Sequence, residues 1–591
     1  MAIALLAAAY WFAWRPLAQT SGEISAPVSG RATIARDALG VPHIDAASWE
    51  DAIFLQGFVT AQDRMWQMDA LRRLAAGELA EVVGKPALES DENARRLRFP
   101  RLAEQQDRAM PAADRAVLAA YARGVNYYLE THRGNLPVEF TLLNYHPRPW
   151  STRDSILAGL EMHRELTTSW RDEISKLRMI EKGDCAKVDF LYPQRSGAEI
   201  QPGSNAWAVS GAHTASGKPI LANDPHLDFS MPSTWYMVHL RAPGLNVTGV
   251  SLPGVPAVII GHNDRIAWGV TNLQFDVEDL YREQFEAQTG RYVYRGQLEQ
   301  ARLERNAIAI KGARPLQFDQ WITRDGPVFL NDQGREYALR WSAEDPDGFE
   351  FPFLDIDRAR NWTEFTAALA RFPGPGQNFV YADVDGNIGY HATGQLPIRP
   401  PDCTGRLPAD GASGACEWQG YIPFDDLPQF FNPASGMIVT ANQNPFPPDY
   451  KYIVSGNFSA QYRSNRIRKL LGAREKWKPA DMLAVEKDVY SPFSDFLAKQ
   501  TVAAFDARKN SNPQLREAVD VLRNWNGQME KGTAAPMIAA LLYQELRKAA
   551  ADRAAPGFGD DYDFEMAPAA IERLLRERPP GWFPDYDKLL I

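Results

Sequence analysis

Ser204, in the middle of the chain between Gly203 and Asn205, is the residue best suited to covalent chemistry. A serine hydroxyl is a weak nucleophile until a base takes its proton. The 591-residue chain has nine histidines but neither a Gly-x-Ser-x-Gly nor a His-Glu-x-x-His segment, the patterns in which a separate base or a metal serves that purpose. A cut before Ser204 would free its α-amine, whose pKa of about 7.7–8.0 suits a general base near neutral pH. The hypothesis is that Ser204 supplies the nucleophile and, through its own amine, the base.

Gly203, the residue before the nucleophile, favours such a cut. Because glycine has no Cβ, its carbonyl carbon is open to attack by the Ser204 Oγ, and its backbone tolerates strain. Taken alone, however, a Gly-Ser-Asn tripeptide before a strand is usually a turn, so that alternative stays open until other residues are considered.

Further polar segments follow Ser204 in a distinctive order. They are Asn223-Asp224-Pro225-His226, Gly261-His262-Asn263, Trp268-Gly269-Val270-Thr271-Asn272 and Thr440-Ala441-Asn442-Gln443-Asn444. This series resembles the penicillin acylase family of N-terminal nucleophile hydrolases, and the resemblance extends from about Arg36 to near the C-terminus. The resemblance implies a precursor that cleaves itself before Ser204 by an N→O acyl shift, giving an α/β heterodimer. It also implies hydrolysis of linear amides through an acyl-Ser204 ester.

The resemblance places the oxyanion donors on two asparagines. They are the backbone N–H of Asn272 and the side chain of Asn444, with Asn442 as a second candidate because the motif can be matched one pair earlier. Donors of this kind are commonly worth about 3–4 kcal/mol each in acyl transfer. From the residues alone, Asn444 before Pro445 is more typical of an Asx turn.

Two further residues receive roles from the same resemblance. His226 would hold the Ser204 amine and pass a proton through water, and Arg463 would orient the catalytic asparagine and that amine. Unaided, His226 is equally well explained as a strand-end histidine with satisfied hydrogen bonds.

A structural calcium site is also implied by the resemblance. Its ligands would be the carboxylates of Glu173, Asp276 and Asp279 together with the carbonyl of Glu278, and hard oxygen ligands of this kind suit calcium. No organic cofactor is expected. Clusters of acidic residues are more often solvated surfaces, and this alternative remains open for the residues taken by themselves.

The acyl pocket is expected to be aliphatic. The matching positions are Leu227, Ile260, Val270 and Gln274, which would accommodate a fatty acyl chain, each buried methylene contributing about 0.8 kcal/mol; core packing explains them equally well. Two substrate classes stay open, the acyl side chains of penicillins or cephalosporins and those of acyl-homoserine lactones. A different class, an inactive truncated remnant that only binds a ligand, also stays open.

The pattern along the chain predicts the elements that position these residues. Residues 23–181 are mainly of helical periodicity, and 182–203 have the Gly, Pro, Ser and Gln content of a linker that is removed in part. Strands dominate from 204, with 206–210, 219–223, 235–241, 246–250, 257–261, 266–270, 335–343 and 378–391 predicted, and helices return after 477. The expected fold is α+β: an αββα four-layer sandwich in which a helical first chain wraps around a strand-rich second chain, 204–591.

Composition limits the partners. The net charge is −10 and the isoelectric point about 5.6, and no Lys/Arg-rich run is interleaved with aromatic residues, which excludes nucleic acid as a partner. The expected partner is a small acyl amide. The chain ends in the apolar-periodic segment Asp587–Ile591 without a cap, and we expect relatives to continue beyond it.

The ends and the cysteines bear on the compartment. Residues 1–22 begin with an apolar stretch, Met1–Trp14, which is short for a membrane span; an export signal or anchor and an apolar N-terminal helix of the domain are the two interpretations. Cys403 and Cys416 flank a loop and are expected to form a disulfide, with two separate thiols as the alternative, while Cys185 is left over. The expected location is periplasmic or exported.

Overall fold

The computed structural model describes residues 1–167, 169–193, 203–227, 229–345, 350–508, 512–564 and 566–591. Its first third is helical. The helices before Ser204 are α1 (Ala2–Ala9), α2 (Trp49–Ala76), α3 (Ala80–Val83), α4 (Leu88–Arg96), α5 (Phe99–Ala109), α6 (Ala112–Thr131), α7 (Val138–Leu142), α8 (Thr152–Thr167), α9 (Trp170–Lys182) and α10 (Cys185–Leu191). The later helices are α11 (Phe353–Arg358), α12 (Trp362–Leu369), α13 (Gln461–Leu471), α14 (Pro479–Glu486), α15 (Pro492–Arg508), α16 (Pro513–Arg523), α17 (Ala535–Ala554), α18 (Ala567–Glu577) and α19 (Tyr586–Leu590). In the described part of the chain, a helix of the length and apolarity required to span a membrane is not found.

Strands form two face-to-face sheets and two peripheral ones. The strands are β1 (Thr33–Arg36), β2 (Pro42–Asp45), β3 (Asn205–Val209), β4 (Ile220–Asp224), β5 (Tyr236–Ala242), β6 (Leu245–Ser251), β7 (Ile260–Asn263), β8 (Ile266–Asn272), β9 (Glu278–Glu283), β10 (Phe285–Glu286), β11 (Arg291–Tyr294), β12 (Gln297–Gln300), β13 (Arg302–Ile308), β14 (Leu316–Thr323), β15 (Gly326–Asp332), β16 (Arg335–Trp341), β17 (Gln377–Asp383), β18 (Ile388–Thr393), β19 (Ala409–Asp410), β20 (Gln429–Phe431) and β21 (Met437–Thr440). The large sheet has the order β1-β2-β5-β6-β7-β8-β17-β18-β20, and the small inner sheet has the order β21-β3-β4.

Strand β3, which begins directly after Ser204, is buried on both faces. Its side chains alternate between two cores because successive residues of a strand point to opposite faces. Ala206 and Ala208 belong to the core shared with the large sheet, whereas Trp207 and Val209 pack against residues of α13 and α14. The small sheet therefore lies between the large sheet and a helical layer.

The two sheets approach closely at β4 and β8. A Cβ at Gly269 would lie 2.9 Å from the Cβ of Asn223, so only glycine fits at this position of β8. The Asn223 amide then joins the sheets: its Nδ2 donates to the carbonyl oxygen of Val270 (3.1 Å), and its Oδ1 accepts from the Val270 N–H (2.9 Å). This contact sets the position of β3 and its neighbours relative to the large sheet.

On the other face of the large sheet lies the second helical layer. The buried amide of Gln56 in α2 pairs with the backbone of Ala257, donating to its carbonyl oxygen (3.0 Å) and accepting from its N–H (2.9 Å). Apolar residues of α2, α6 and α8 share one core with β5 and β6. The order helices, large sheet, small sheet, helices is the αββα sandwich expected from the sequence.

Most of the predicted elements are present. The predicted strands 206–210, 219–223 and 235–241 correspond to β3, β4 and β5, and the predicted strand segment 378–391 forms the β17–β18 hairpin. Cys403 and Cys416 form the expected disulfide, and Cys185 is a free, exposed thiol.

The predicted linker begins too early. Its part up to residue 193 is folded: Cys185–Leu191 is a helix that starts with an N-cap at Asp184, and Val188 and Leu191 are fully buried against the C-terminal helices. The polar composition of the segment 182–203 as a whole led to the linker prediction, although Val188 and Leu191 form an apolar face on this helix. Residues 194–202, which carry the rest of the linker prediction, lie outside the described residues.

The buried carboxyl of Asp357 in α11 allows the packing of this helix against Val258 to be tested. One oxygen of its buried carboxyl accepts from the Val258 N–H (3.1 Å), while the other has no partner among the described residues. Burial raises the pKa of Asp357 well above the 3.8 of an unperturbed aspartate. Above pH 3.8 the unfolded state ionises while the folded state stays protonated, so stability falls as pH rises toward the folded-state pKa.

We expect Asp357→Asn to remove this loss of stability at rising pH. The free energy of unfolding of the variant minus that of the parent should grow by about 1.4 kcal/mol per pH unit above pH 5 while the folded carboxyl stays protonated. Urea unfolding at pH 5, 6 and 7 measures the difference. A difference that does not change with pH would contradict the neutral carboxyl.

Candidate active site

Ser204 lies at the start of β3, where the small sheet meets the large one. Its side chain is buried, and the residue lines a cavity between the large sheet and the first helical layer. Asn205, the first residue of β3, pairs in register with Asp224 at the end of β4. The serine is thus carried by the central strand of the small sheet and faces the cavity.

Arg463 in α13 holds the backbone on both sides of Ser204. Its Nη1 donates to the carbonyl oxygens of Gly203 (3.0 Å) and Ser204 (2.9 Å). The same nitrogen donates to Asn205 Oδ1 (2.7 Å). Burial lowers the pKa of Arg463 to about 10, which leaves the guanidinium charged near neutral pH. A positive charge therefore sits on the carbonyl of the Gly203–Ser204 bond.

Asn442, and not Asn444, joins this cluster. Arg463 Nη2 donates to Asn442 Oδ1 (3.0 Å), and Asn442 Nδ2 donates to the carbonyl oxygen of Asn272 (2.7 Å). Asn442 has a φ of 65°, a left-handed conformation that asparagine adopts more readily than most residues. Asn444 instead accepts from the Phe446 N–H (2.9 Å), the Asx turn that was its alternative. The structure thus joins the second candidate to Arg463 and Asn272 and holds the first in a local turn.

His226 lies at the edge of the site. Its ring is partly exposed, and its Nε2 is 3.1 Å from Asp224 Oδ2, which also accepts from Asn205 Nδ2 (3.3 Å). His226 does not line the cavity, although its neighbours Pro225 and Leu227 do. In the sequence, Asp224 is recognisable only as part of the segment Asn223–His226. Its place between His226 and Asn205 depends on the β3–β4 register.

The cavity beside Ser204 is mainly apolar. Three of the four residues expected in the acyl pocket line it, namely Leu227, Ile260 and Val270, together with Asn272. The fourth, Gln274, has a φ of 58°, and its Oε1 accepts from Ser459 Oγ (3.2 Å). The remaining apolar wall comes from α8 and from the segments around Leu252, Phe351 and Phe372.

The carboxylates expected to bind calcium surround a buried arginine instead. Arg399 Nε donates to Asp279 Oδ2 (2.8 Å), and its Nη2 donates to Asp279 Oδ1 (3.2 Å) and lies 3.4 Å from Asp276 Oδ2. Glu173 is buried beside them and accepts from the Leu280 N–H (3.3 Å). Burial, followed by the neighbouring Asp279 and Asp276, raises the pKa of Glu173 well above its usual value.

For Glu278 the expected calcium ligand is the backbone carbonyl, and its side chain is held separately. Its carboxylate accepts from the Ser169 N–H (2.8 Å) and the Trp170 N–H (3.4 Å) at the start of α9, and burial raises its pKa to about 8. Across the described residues, no group of three or more His, Cys, Asp and Glu side chains is arranged to hold a metal ion. The residues present therefore do not fit the calcium ion expected from the sequence, because a guanidinium already supplies the positive charge. The sequence prediction did not include Arg399, because this arginine lies outside the acidic motif.

An αββα sandwich with a serine directly before the central strand of its inner sheet defines the class of N-terminal nucleophile hydrolases. The penicillin amidase family model matches residues 31–588, so the chain belongs to that family. It is a hydrolase of carbon–nitrogen bonds in linear amides.

Similar proteins carry two kinds of name. Acyl-homoserine lactone acylase QuiP of Pseudomonas aeruginosa is 31% identical over 94% of this chain and 74% of its own length. Penicillin acylase 2 proenzyme of Pseudomonas sp. strain SE83 is 32% identical over 90% of this chain and 73% of its own length. Thermostable penicillin G acylase from Alcaligenes faecalis has a similar fold, with a TM-score of 0.54 and 22% identity over 65% of this chain and 76% of that one.

We expect Arg399→Met to destabilise the folded chain by about 3–5 kcal/mol, because it leaves buried carboxylates without their counter-charge. Arg241→Met is the matched control: Arg241 also pairs with an aspartate, Asp45, but both side chains are exposed, and such a pair contributes little to stability. Chemical unfolding measures both.

A chelator tests whether the guanidinium takes the place of an ion. The melting temperature of the parent should not change in excess EDTA, whereas added calcium should raise that of Arg399→Met by binding the vacated carboxylates. A parent melting temperature that falls with EDTA would show that an ion is bound in addition to Arg399.

Proposed function

We propose that the chain cleaves its own Gly203–Ser204 bond and then hydrolyses linear acyl amides through an ester on Ser204. The observation that carries the proposal is the hydrogen bond from Arg463 Nη1 to the Gly203 carbonyl oxygen (3.0 Å). A cation at this oxygen stabilises the negative charge that develops when the Ser204 Oγ attacks the adjacent carbon.

Self-cleavage follows as an N→O acyl shift. The Ser204 Oγ loses its proton and bonds to the Gly203 carbonyl carbon; the C–N bond then breaks, and the nitrogen takes up a proton. The resulting ester is hydrolysed by water, which leaves a carboxylate on Gly203 and a free amine on Ser204. A side chain at position 203 would displace Asn442 and Arg463, because a Cβ would lie 2.3 Å from Asn442 Oδ1 and 2.9 Å from Arg463 Nη2.

Turnover uses the same groups with an external amide. The free amine accepts the Ser204 hydroxyl proton, the Oγ attacks the amide carbonyl carbon, and the leaving amine takes a proton as its C–N bond breaks. Asn442 is the side-chain donor best placed for the oxyanion, since its Nδ2 lies at Asn272 and carries a second hydrogen. Water then hydrolyses the acyl-serine ester and releases the acid.

The cavity supports an aliphatic acyl group in the substrate, because its lining beside Ser204 is mainly apolar. The two relatives named above suggest either a penicillin-type amide or an acyl-homoserine lactone, and parallel hydrolysis of the two would rank them. The two chains would stay together after cleavage as a heterodimer, because helices α2, α6 and α8 share a core with the large sheet. The Cys403–Cys416 disulfide supports an exported, periplasmic enzyme.

Self-cleavage is tested by intact mass and N-terminal sequencing. We expect two fragments from the parent, the larger starting Ser204-Asn205-Ala206. Ser204→Ala and Gly203→Ala should remain single chains, the first because it lacks the nucleophile and the second because its Cβ displaces Asn442 and Arg463. Gly134→Ala, where a Cβ meets no atom within 4 Å, is the control and should cleave like the parent. A parent that stays whole would overturn the proposal.

The choice between the two asparagines is tested by turnover. On cleaved protein, quantified by titration of the reactive serine, Asn442→Ala should lower kcat by about 10²–10³-fold, the usual effect of losing an oxyanion donor. Asn444→Ala removes only an Asx turn and should stay within a few-fold of the parent. The reverse order would return the role to Asn444.

A further inference from the structure

Three polar side chains in the lining of the cavity each carry one buried atom without a hydrogen-bond partner among the described residues. They are Gln106 of α5, His163 of α8 and Gln377 of β17, which are 3%, 8% and 6% exposed. Within the described part of the chain, Gln106 Oε1, His163 Nε2 and Gln377 Nε2 are buried without a hydrogen-bond partner. Buried polar atoms are nearly always paired, so three such atoms beside one cavity leave hydrogen-bonding positions that a ligand can occupy.

The three residues belong to one continuous wall. Gln377 is the register partner of Asn272, and both line the same cavity as Ser204. A Cβ at Gly374 would lie 3.4 Å from His163 Nε2, and the His163 ring meets Trp341 edge-on at 5.2 Å. Two residues beyond Trp341, the Ala343 carbonyl accepts from Gln106 Nε2 (3.3 Å).

The wall is uncharged. Burial lowers the pKa of His163 to about 3, so the imidazole is neutral at ordinary pH and offers one donor or one acceptor. Among the described residues, the charged ones lining the cavity are Asp345 and Glu350, which pair with Arg340 and Arg371 outside the lining, and neither Lys nor Arg lines it. An acyl group that ends in a carboxylate would find no counter-charge here.

In this set of residues, Gln106 offers a hydrogen-bond acceptor and Gln377 offers a donor. The neutral ring of His163 can serve as either. A neutral oxygen substituent satisfies such a set, because a hydroxyl both donates and accepts and a carbonyl accepts. We propose that this wall, named here the Gln106–His163–Gln377 wall, selects amides whose acyl chain carries a hydroxyl or carbonyl group over plain and carboxylate-bearing chains. The inference rests on the proposed amide hydrolysis and names the class of acyl donor.

The test uses p-nitroanilides of decanoic acid, of its 3-, 5- and 10-hydroxy derivatives and of decanedioic acid. We expect at least one hydroxy isomer to exceed the decanoyl compound by about tenfold or more in kcat/KM, since a site built for a hydroxyl discriminates against its absence, and the decanedioic compound to be the poorest. Equal values for all compounds would overturn the proposal while leaving amide hydrolysis intact.

Variants assign the preference to the wall. Gln377→Met and His163→Phe should each bring the ratio of hydroxydecanoyl to decanoyl kcat/KM toward one, a ratio that does not depend on the fraction of folded enzyme. Tyr337→Phe is the matched control: the Tyr337 hydroxyl is also buried and unpartnered in the described structure but lies outside the cavity lining, so its removal should leave the ratio unchanged. A ratio that survives both wall variants would contradict the assignment.

Calorimetry on Ser204→Ala separates this inference from the proposed function. Tighter binding of a hydroxydecanamide than of decanamide supports the wall even if no anilide is turned over. Equal binding of the two amides would overturn it independently of activity.

Discussion

The buried guanidinium of Arg463 is the contact on which the site depends. It links α13, in the outer helical layer, to the backbone of Gly203 and Ser204 and to the side chain of Asn442. These groups come from distant parts of the chain, and the arginine contacts all of them. A planar group with several donors in fixed directions can hold so many acceptors at once, which a lysine cannot.

The position of Arg463 depends in turn on how closely the two sheets pack. Small residues on the inward faces, Ala206 and Ala208 of β3 and Gly269 of β8, let the Asn223 amide reach across to Val270. The Thr271 and Thr440 hydroxyls meet at 2.9 Å in a second link between the sheets. Polar contacts between layers that are otherwise apolar fix one register, because a shifted register would leave these groups buried and unpaired.

Acidic side chains buried away from the site are also stabilised by specific partners. Two buried acidic side chains illustrate this: Asp279 pairs with the buried cation of Arg399, and Glu278 lies at the start of α9. Both solutions keep acidic groups in the interior without leaving an unpaired charge. The cavity differs, because its Gln106–His163–Gln377 wall presents polar atoms that have no hydrogen-bond partner among the described residues.

The sequence by itself determined the order of elements, the strands around Ser204, the disulfide and the family, because periodicity and motif order are local or linear properties. It also pointed to Arg463 and Gly203, which adjoin or belong to those motifs. Strands β9 to β15 escaped prediction because several, such as β13, mix polar and apolar residues without a clean alternation.

Only the tertiary structure decided which residues meet. Asn442 and Asn444 are equivalent in sequence, and the left-handed turn at Asn442 sends one amide to Arg463 and the other into an Asx turn. Arg399 lies outside the acidic motif by more than a hundred residues, yet it neutralises Asp279 through the packing of a distant loop on β9. Such pairings depend on distances across the fold, which no pattern of neighbouring residues encodes.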